Sequence, residues 1–137
     1  MVARFFFITG GGIFVFLGCI HAIFMLADLR RPRRLVPADP ALIEAMAGSA
    51  VRLSRRGTDM WRARIGFNFS HAVGAIVFGS LCIAAGIFVQ AVPKALLLLP
   101  AAIGCLYLLL SIRYWFRVPT IGIALSVTLL MAGWLLA

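Results

Sequence analysis

Four stretches of this chain carry no Asp, Glu, Lys or Arg, and each is long enough to cross a bilayer as a helix. They run from Phe5 to Leu26 (22 residues), Ile65 to Val92 (28), Ala95 to Ile112 (18) and Val118 to Ala137 (20). A hydrocarbon core about 30 Å thick takes about 20 residues at 1.5 Å each. Only 12% of the 137 residues are charged and 64% are apolar, with mean hydropathy +1.08, where soluble domains carry about a quarter charged. Soluble enzyme classes are excluded on that ground, and the length leaves no room for a catalytic module outside the membrane. The runs are rich in Leu and Ala and show no strict alternation in segments of about ten residues, so helices fit better than a barrel. The fold class expected is all-α: one integral membrane domain over residues 1–137, a four-helix transmembrane bundle with spans at about 5–27, 61–92, 95–116 and 118–137.

The breaks between runs set the path. Pro93-Lys94 and Arg117-Val118-Pro119 are too short for anything but antiparallel hairpins. The 37-residue connection from Asp28 to Arg64 has structure of its own: Asp39-Pro40 reads as an N-cap and a first-turn proline. Leu42, Ile43, Met46, Ala47, Ala50 and Val51 then recur at the helical period, with Glu44, Gly48, Arg52 and Arg55 opposite and Gly57 as a stop. This predicts an amphipathic helix at about 40–56 lying in the cytoplasmic interface.

Charge gives the threading. Arg30, Arg31, Arg33, Arg34, Arg52, Arg55, Arg56, Arg62, Arg64, Arg113 and Arg117, eleven of the thirteen basic residues, fall on one side, and Arg4 and Lys94 on the other. The positive-inside rule then puts the 28–64 connection in the cytoplasm and both termini in the periplasm of a bacterial inner membrane. The segment Arg30-Arg31-Pro32-Arg33-Arg34, directly after a span, reads as a contact for anionic lipid headgroups rather than for nucleic acid. Phe16-Leu17-Gly18-Cys19 loosely matches a lipoprotein cleavage box, but the apolar run continues unbroken to Leu26, and cleavage would leave the arginines outside.

Much chemistry is missing. Cys19, Cys82 and Cys105 form no C-x-x-C and are expected to be buried as apolar groups, and no phosphate-binding loop, dinucleotide fingerprint or hydrolase motif occurs. Gly10-Gly11-Gly12 lies within an apolar run, as close helix packing requires. The apolar runs contain no carboxylate, which disfavours a proton-coupled exporter.

What remains is polar and periodic. Gly11, Phe14, Gly18, His21, Met25 and Asp28 share one face of the first run; Trp61, Arg64, Asn68, His71, Ala75 and Phe78 share one around the second; Pro100, Gly104, Tyr107, Ser111 and Tyr114 share one on the third. His21 lies seven residues before Asp28, His71 seven after Arg64 and Tyr107 six before Arg113, each about 10 Å inside the same boundary. The expected site is therefore a layer of His21, His71, Asn68, Tyr107 and Ser111 that holds a ligand or cofactor, rimmed on the cytoplasmic side by Asp28, Trp61, Arg64 and Tyr114. The competing reading is structural, since polar groups in membrane bundles often only hydrogen-bond across helices, at about 0.6 kcal/mol each.

Two level histidines suggest haem b, which would need the first two spans to be diagonal in the bundle, because touching helices are only about 8 to 10 Å apart. A zinc or copper site lacks a third ligand, as Cys19 points about 160° away from His21, so no metal is expected. General acid–base work on a lipid or isoprenoid would use a neutral imidazole, but no nucleophile or carboxylate partner defines a reaction.

Met60 to Gly74, M-W-R-A-R-I-G-F-N-F-S-H-A-V-G, with Gly18-Cys19-Ile20-His21, resembles a group of uncharacterised small bacterial four-helix membrane proteins. The likeness covers the first two spans, implies a bacterial inner-membrane setting and points to Trp61, Gly66, Asn68, Ser70 and His71; it brings no activity with it. In size and span count the chain is also similar to the small four-helix proteins of the DoxX kind, associated with quinone oxidoreductases. Two functions follow as expectations. One is a membrane protein whose polar layer binds a lipid, isoprenoid or cofactor; the other is a non-catalytic subunit, or homo-oligomer, packing through Gly66, Ser70 and Gly74.

Overall fold

A computed structural model describes the backbone of residues 1–137 and every side chain except those of residues 54–56. The elements are α1 (Val2–Arg30), α2 (Pro40–Gly48), β1 (Ala50–Val51), β2 (Ser54–Asp59), α3 (Met60–Ile87), α4 (Lys94–Tyr114) and α5 (Arg117–Leu135). By length and composition α1, α3, α4 and α5 can each cross a membrane, so the chain is an all-α, multi-pass membrane protein. The second span ends at Ile87, five residues short of the expected 92, and the chain turns through Phe88 to Val92 before Pro93 caps α4. Proline at 93 drives its predecessor out of helical geometry, and the turn absorbs the change.

The region between α1 and α3 corrects one expectation. Asp39 is the N-cap, accepting from the Ala41 amide at 2.9 Å, and Pro40 opens the helix. The helix stops at Gly48, however, and a two-stranded antiparallel hairpin follows, pairing Ala50 with Asp59 and Val51 with Ser54. Gly48-Ser49 is a poor pair for continuing a helix. Extended backbone at Ser49 lets its carbonyl accept from the Met60 amide at 2.9 Å and close the hairpin. The apolar spacing through Ala50 and Val51 thus fits a helix by period alone, while strand pairing satisfies the backbone there. Asp59 ends β2 and caps α3, accepting from the Arg62 amide at 2.8 Å.

The chain forms two compact units, Met1–Gly18 with Gly74–Ala137, and Cys19–Val73. In the first, parts of all four long helices pack around Phe7, Phe14, Cys82, Leu97, Ile123 and Leu130, each at most 2% exposed. Small residues bring the backbones together. A Cβ built on Gly11 would lie 2.5 Å from the Gly79 carbonyl oxygen, and one on Gly79 the same distance from that of Gly11, so α1 and α3 touch there as closely as only glycine permits. Gly10 meets Leu130 and Ser126 of α5, whereas Gly12 faces open space, so two of the three consecutive glycines perform the packing expected of them. Ser126 Oγ donates to the Gly10 carbonyl at 2.7 Å, a buried bond across 116 positions of sequence. Of the cysteines, Cys82 is buried, Cys105 partly so and Cys19 exposed; the expectation of three buried thiols holds for Cys82 and fails for Cys19.

Candidate functional site

The second unit contains the histidines. His21 on α1 and Asn68 and His71 on α3 converge as the seven-residue register from Asp28 and Arg64 predicts. The two imidazoles meet edge to face, centroids 5.4 Å apart and planes at 78°. Asn68 Nδ2 donates to the Arg64 carbonyl, four residues earlier, at 2.9 Å. That bond orients the amide, so Oδ1 is the atom facing His21 Nε2 at 3.1 Å; the Nε2 therefore carries the proton and donates. All three side chains are half-buried.

Tyr107 and Ser111 belong to the other unit. Tyr107 joins an aromatic cluster there, its ring 5.3 Å from Phe14 and stacked at 5.7 Å on Phe78. Ser111 is buried, but its hydroxyl donates to the Leu108 carbonyl of its own helix at 2.8 Å, a common way for a membrane helix to satisfy a serine. Tyr114, expected at the rim, is 73% exposed and stands off any packed surface; it is the last residue of α4, past the end of the buried seam.

The rim residues Asp28, Trp61 and Arg64 do share one place. With Met25, Leu29, Pro32 and Ile65 they line a cavity of about 70 Å³, room for a few water-sized groups and not for a ring cofactor. Asp28, 4% exposed, is not a free carboxylate: it accepts from the amides of Arg33 (3.1 Å), Arg34 (3.1 and 3.3 Å) and Leu35 (2.7 Å). A negative charge at a helix C-terminus is ordinarily unfavourable, and these amides offset it while folding the arginine-rich segment back against α1. The side chains of Arg30, Arg31, Arg33 and Arg34 remain exposed, with the Arg34 guanidinium 5.3 Å above the Phe24 ring. Trp61 and Arg64, three apart on one helix face, stack with the guanidinium 4.7 Å from the indole centroid. Arg64 Nη2 is buried and meets no acceptor among the described residues.

As a cofactor site the histidine pair is poorly disposed for haem b. The two rings touch edge to face instead of bracketing a macrocycle, and His21 Nε2 is spent on Asn68. The sequence put Asp28, Trp61 and Arg64 at one rim and Met25 on the face of Asp28, but it did not show the cavity they line or the part that Leu29, Pro32 and Ile65 take in its wall. The chain matches no protein-family model, and no curated protein or solved structure matches it.

Proposed function

We propose that this is a multi-pass protein of the bacterial inner membrane that holds a lipid or isoprenoid ligand near its cytoplasmic face, with His21, Asn68 and His71 as the polar contacts. The observation that carries this reading is their convergence: two helices bring three hydrogen-bonding side chains into one half-buried cluster. Intramembrane polar groups are costly and rare. The cluster joins α1 and α3 through the His21–Asn68 bond and the ring contact of the two imidazoles, and it is only half-buried, so a guest can reach its edge. The 28–64 connection is read as cytoplasmic and both chain ends as periplasmic, because eleven arginines fall on the former side. Its short helix α2 buries no side chain, as a helix resting on a headgroup layer would.

Two experiments test this. Protein purified in mild detergent should retain a lipid or isoprenoid identifiable by mass spectrometry, and His21→Ala/His71→Ala should lose it; equal retention by both would overturn the ligand role. For the threading, Leu53, 98% exposed at the hairpin tip, replaced by cysteine in a chain without its native thiols, should resist impermeant maleimide in intact cells. Labelling from outside would reverse the orientation.

A second reading, a non-catalytic subunit or homo-oligomer, draws on the open face of α3. Gly66 has nothing within 4 Å of where a Cβ would be, and Ser70 is exposed, so a second helix could approach closely there. Gly74 does not extend that face, since its Cβ would meet Tyr107 Oη at 3.5 Å. Capture of one larger membrane complex, abolished by Gly66→Leu, would favour this reading.

A further inference from the structure

The cavity beside Trp61 contains a cation prepared for an anion. The Arg64 guanidinium carbon sits over the Trp61 indole, 4.7 Å from its centroid, a contact that restrains the side chain and leaves it less entropy to lose on binding. Its Nη2 is buried without an acceptor among the described residues, and leaving such a donor unpaired is expensive. Asp28 lies in the same cavity and attracts the guanidinium, but its two oxygens are engaged by three backbone N–H groups of residues 33–35, in four contacts, and it forms no hydrogen bond to Arg64 Nη2. The same turn that engages Asp28 places four exposed arginines along the adjoining segment, so the neighbourhood is net positive despite the carboxylate. Met25, Leu29, Pro32 and Ile65 make the remaining wall apolar. A half-buried, fork-shaped cation with one donor nitrogen turned inside, an apolar wall and space for only a few atoms suit the charged end of an amphiphile whose chains lie elsewhere.

We propose that this cavity binds a phosphate oxyanion, with Arg64 Nη2 donating to it and Trp61 holding the guanidinium in place, and that the phosphate is the headgroup of an anionic lipid. The inference rests on the lipid-ligand reading above and names the chemical group that such a ligand would carry. It differs from the general attraction of Arg30, Arg31, Arg33 and Arg34 for anionic lipid, which needs no cavity.

The test is a native mass-spectrometry titration of the intact protein in detergent, with phosphatidylglycerol as probe and diacylglycerol of the same chains as the phosphate-free comparator. Phosphatidylglycerol should bind and diacylglycerol should not. Arg64→Gln should weaken the tightest binding event by about tenfold or more, the usual effect of losing a charge-assisted hydrogen bond. Arg33→Gln, which removes a surface cation, should weaken it less than about threefold. Arg64→Lys, which keeps the charge and loses the planar fork, should fall between wild type and Arg64→Gln. Displacement of the lipid by millimolar inorganic phosphate would support the site and assign it to the soluble ion; resistance assigns it to the headgroup. Equal binding of diacylglycerol, or equal losses in Arg33→Gln and Arg64→Gln, would overturn the proposal. Should Arg64→Gln fail to fold, the tryptophan emission of the wild type decides: phosphatidylglycerol should shift it, diacylglycerol should not, and Trp61→Phe should abolish the shift. A co-purified ligand that depends on His21 and His71 but survives Arg64→Gln would remove this inference and leave the histidine reading standing.

Discussion

His21 and Asn68 are the best-defined polar pair in the chain, because both ends of the Asn68 amide are engaged: Nδ2 with the Arg64 carbonyl at 2.9 Å and Oδ1 with His21 Nε2 at 3.1 Å. Replacing either partner strands the other in a half-buried setting. Double-mutant cycles in membrane bundles give about 0.6 kcal/mol for an interhelical bond and rarely more than about 1.7. The expected coupling between His21→Leu and Asn68→Leu lies in that range, read from reversible unfolding in detergent. Additivity to within about 0.3 kcal/mol would mean that the bond contributes nothing. His71 meets His21 ring to ring, so His71→Phe, which keeps an aromatic edge, should be tolerated better than His71→Ala.

At the scale of elements, the turn after α1 depends on a single carboxylate. Asp28 accepts all four of its hydrogen bonds from the backbone of residues 33–35, and such bonds to a charged group contribute about 1.5 to 3 kcal/mol between partners. Asp28→Ala should therefore cost about 2 kcal/mol and free the arginine-rich segment. Limited trypsin digestion in detergent should then cut between Arg30 and Arg34 faster than in the wild type; equal cutting rates would show that the turn stands without Asp28. Asp39→Ala, removing the N-cap bond to Ala41 at 2.9 Å, has a smaller and local cost, about 1 kcal/mol, confined to α2.

For the molecule as a whole, the four long helices are brought into contact by small residues and not by a hydrophobic drive, since lipid is as apolar as the side chains. The mutual approach of Gly11 and Gly79, each 2.5 Å from the other's carbonyl oxygen once a Cβ is added, is the tightest point. Backbone cannot yield as a flexible side chain does, so Gly79→Ala should destabilise by about 1 to 3 kcal/mol. Gly12→Ala, with open space around it, should stay within about 0.5 kcal/mol of wild type. Comparable midpoints for the two in detergent unfolding would disprove this account of the packing.

The hydropathy of the chain determined four helices long and apolar enough to cross a membrane, because apolar runs without a barrel's alternation satisfy every backbone N–H and C=O in hydrocarbon as helices. The helical period determined the buried faces of α1 and α3, where Gly11, Phe14, Gly18, Met25 and Asp28, then Ala75 and Phe78, are all buried. The same register brought His21, Asn68 and His71 together from residues 47 and 50 positions away. The sequence could not decide between helix and strand at Ala50 and Val51, because apolar spacing over so few residues fits both until the Ser49 carbonyl finds the Met60 amide. Nor could it tell a waiting carboxylate from an occupied one. Asp28 reads as a free acid at the rim, and only the turn that folds residues 33–35 back onto it engages its oxygens, while the guanidinium of Arg64, on a distant stretch of chain, keeps a buried donor with no acceptor among the described residues.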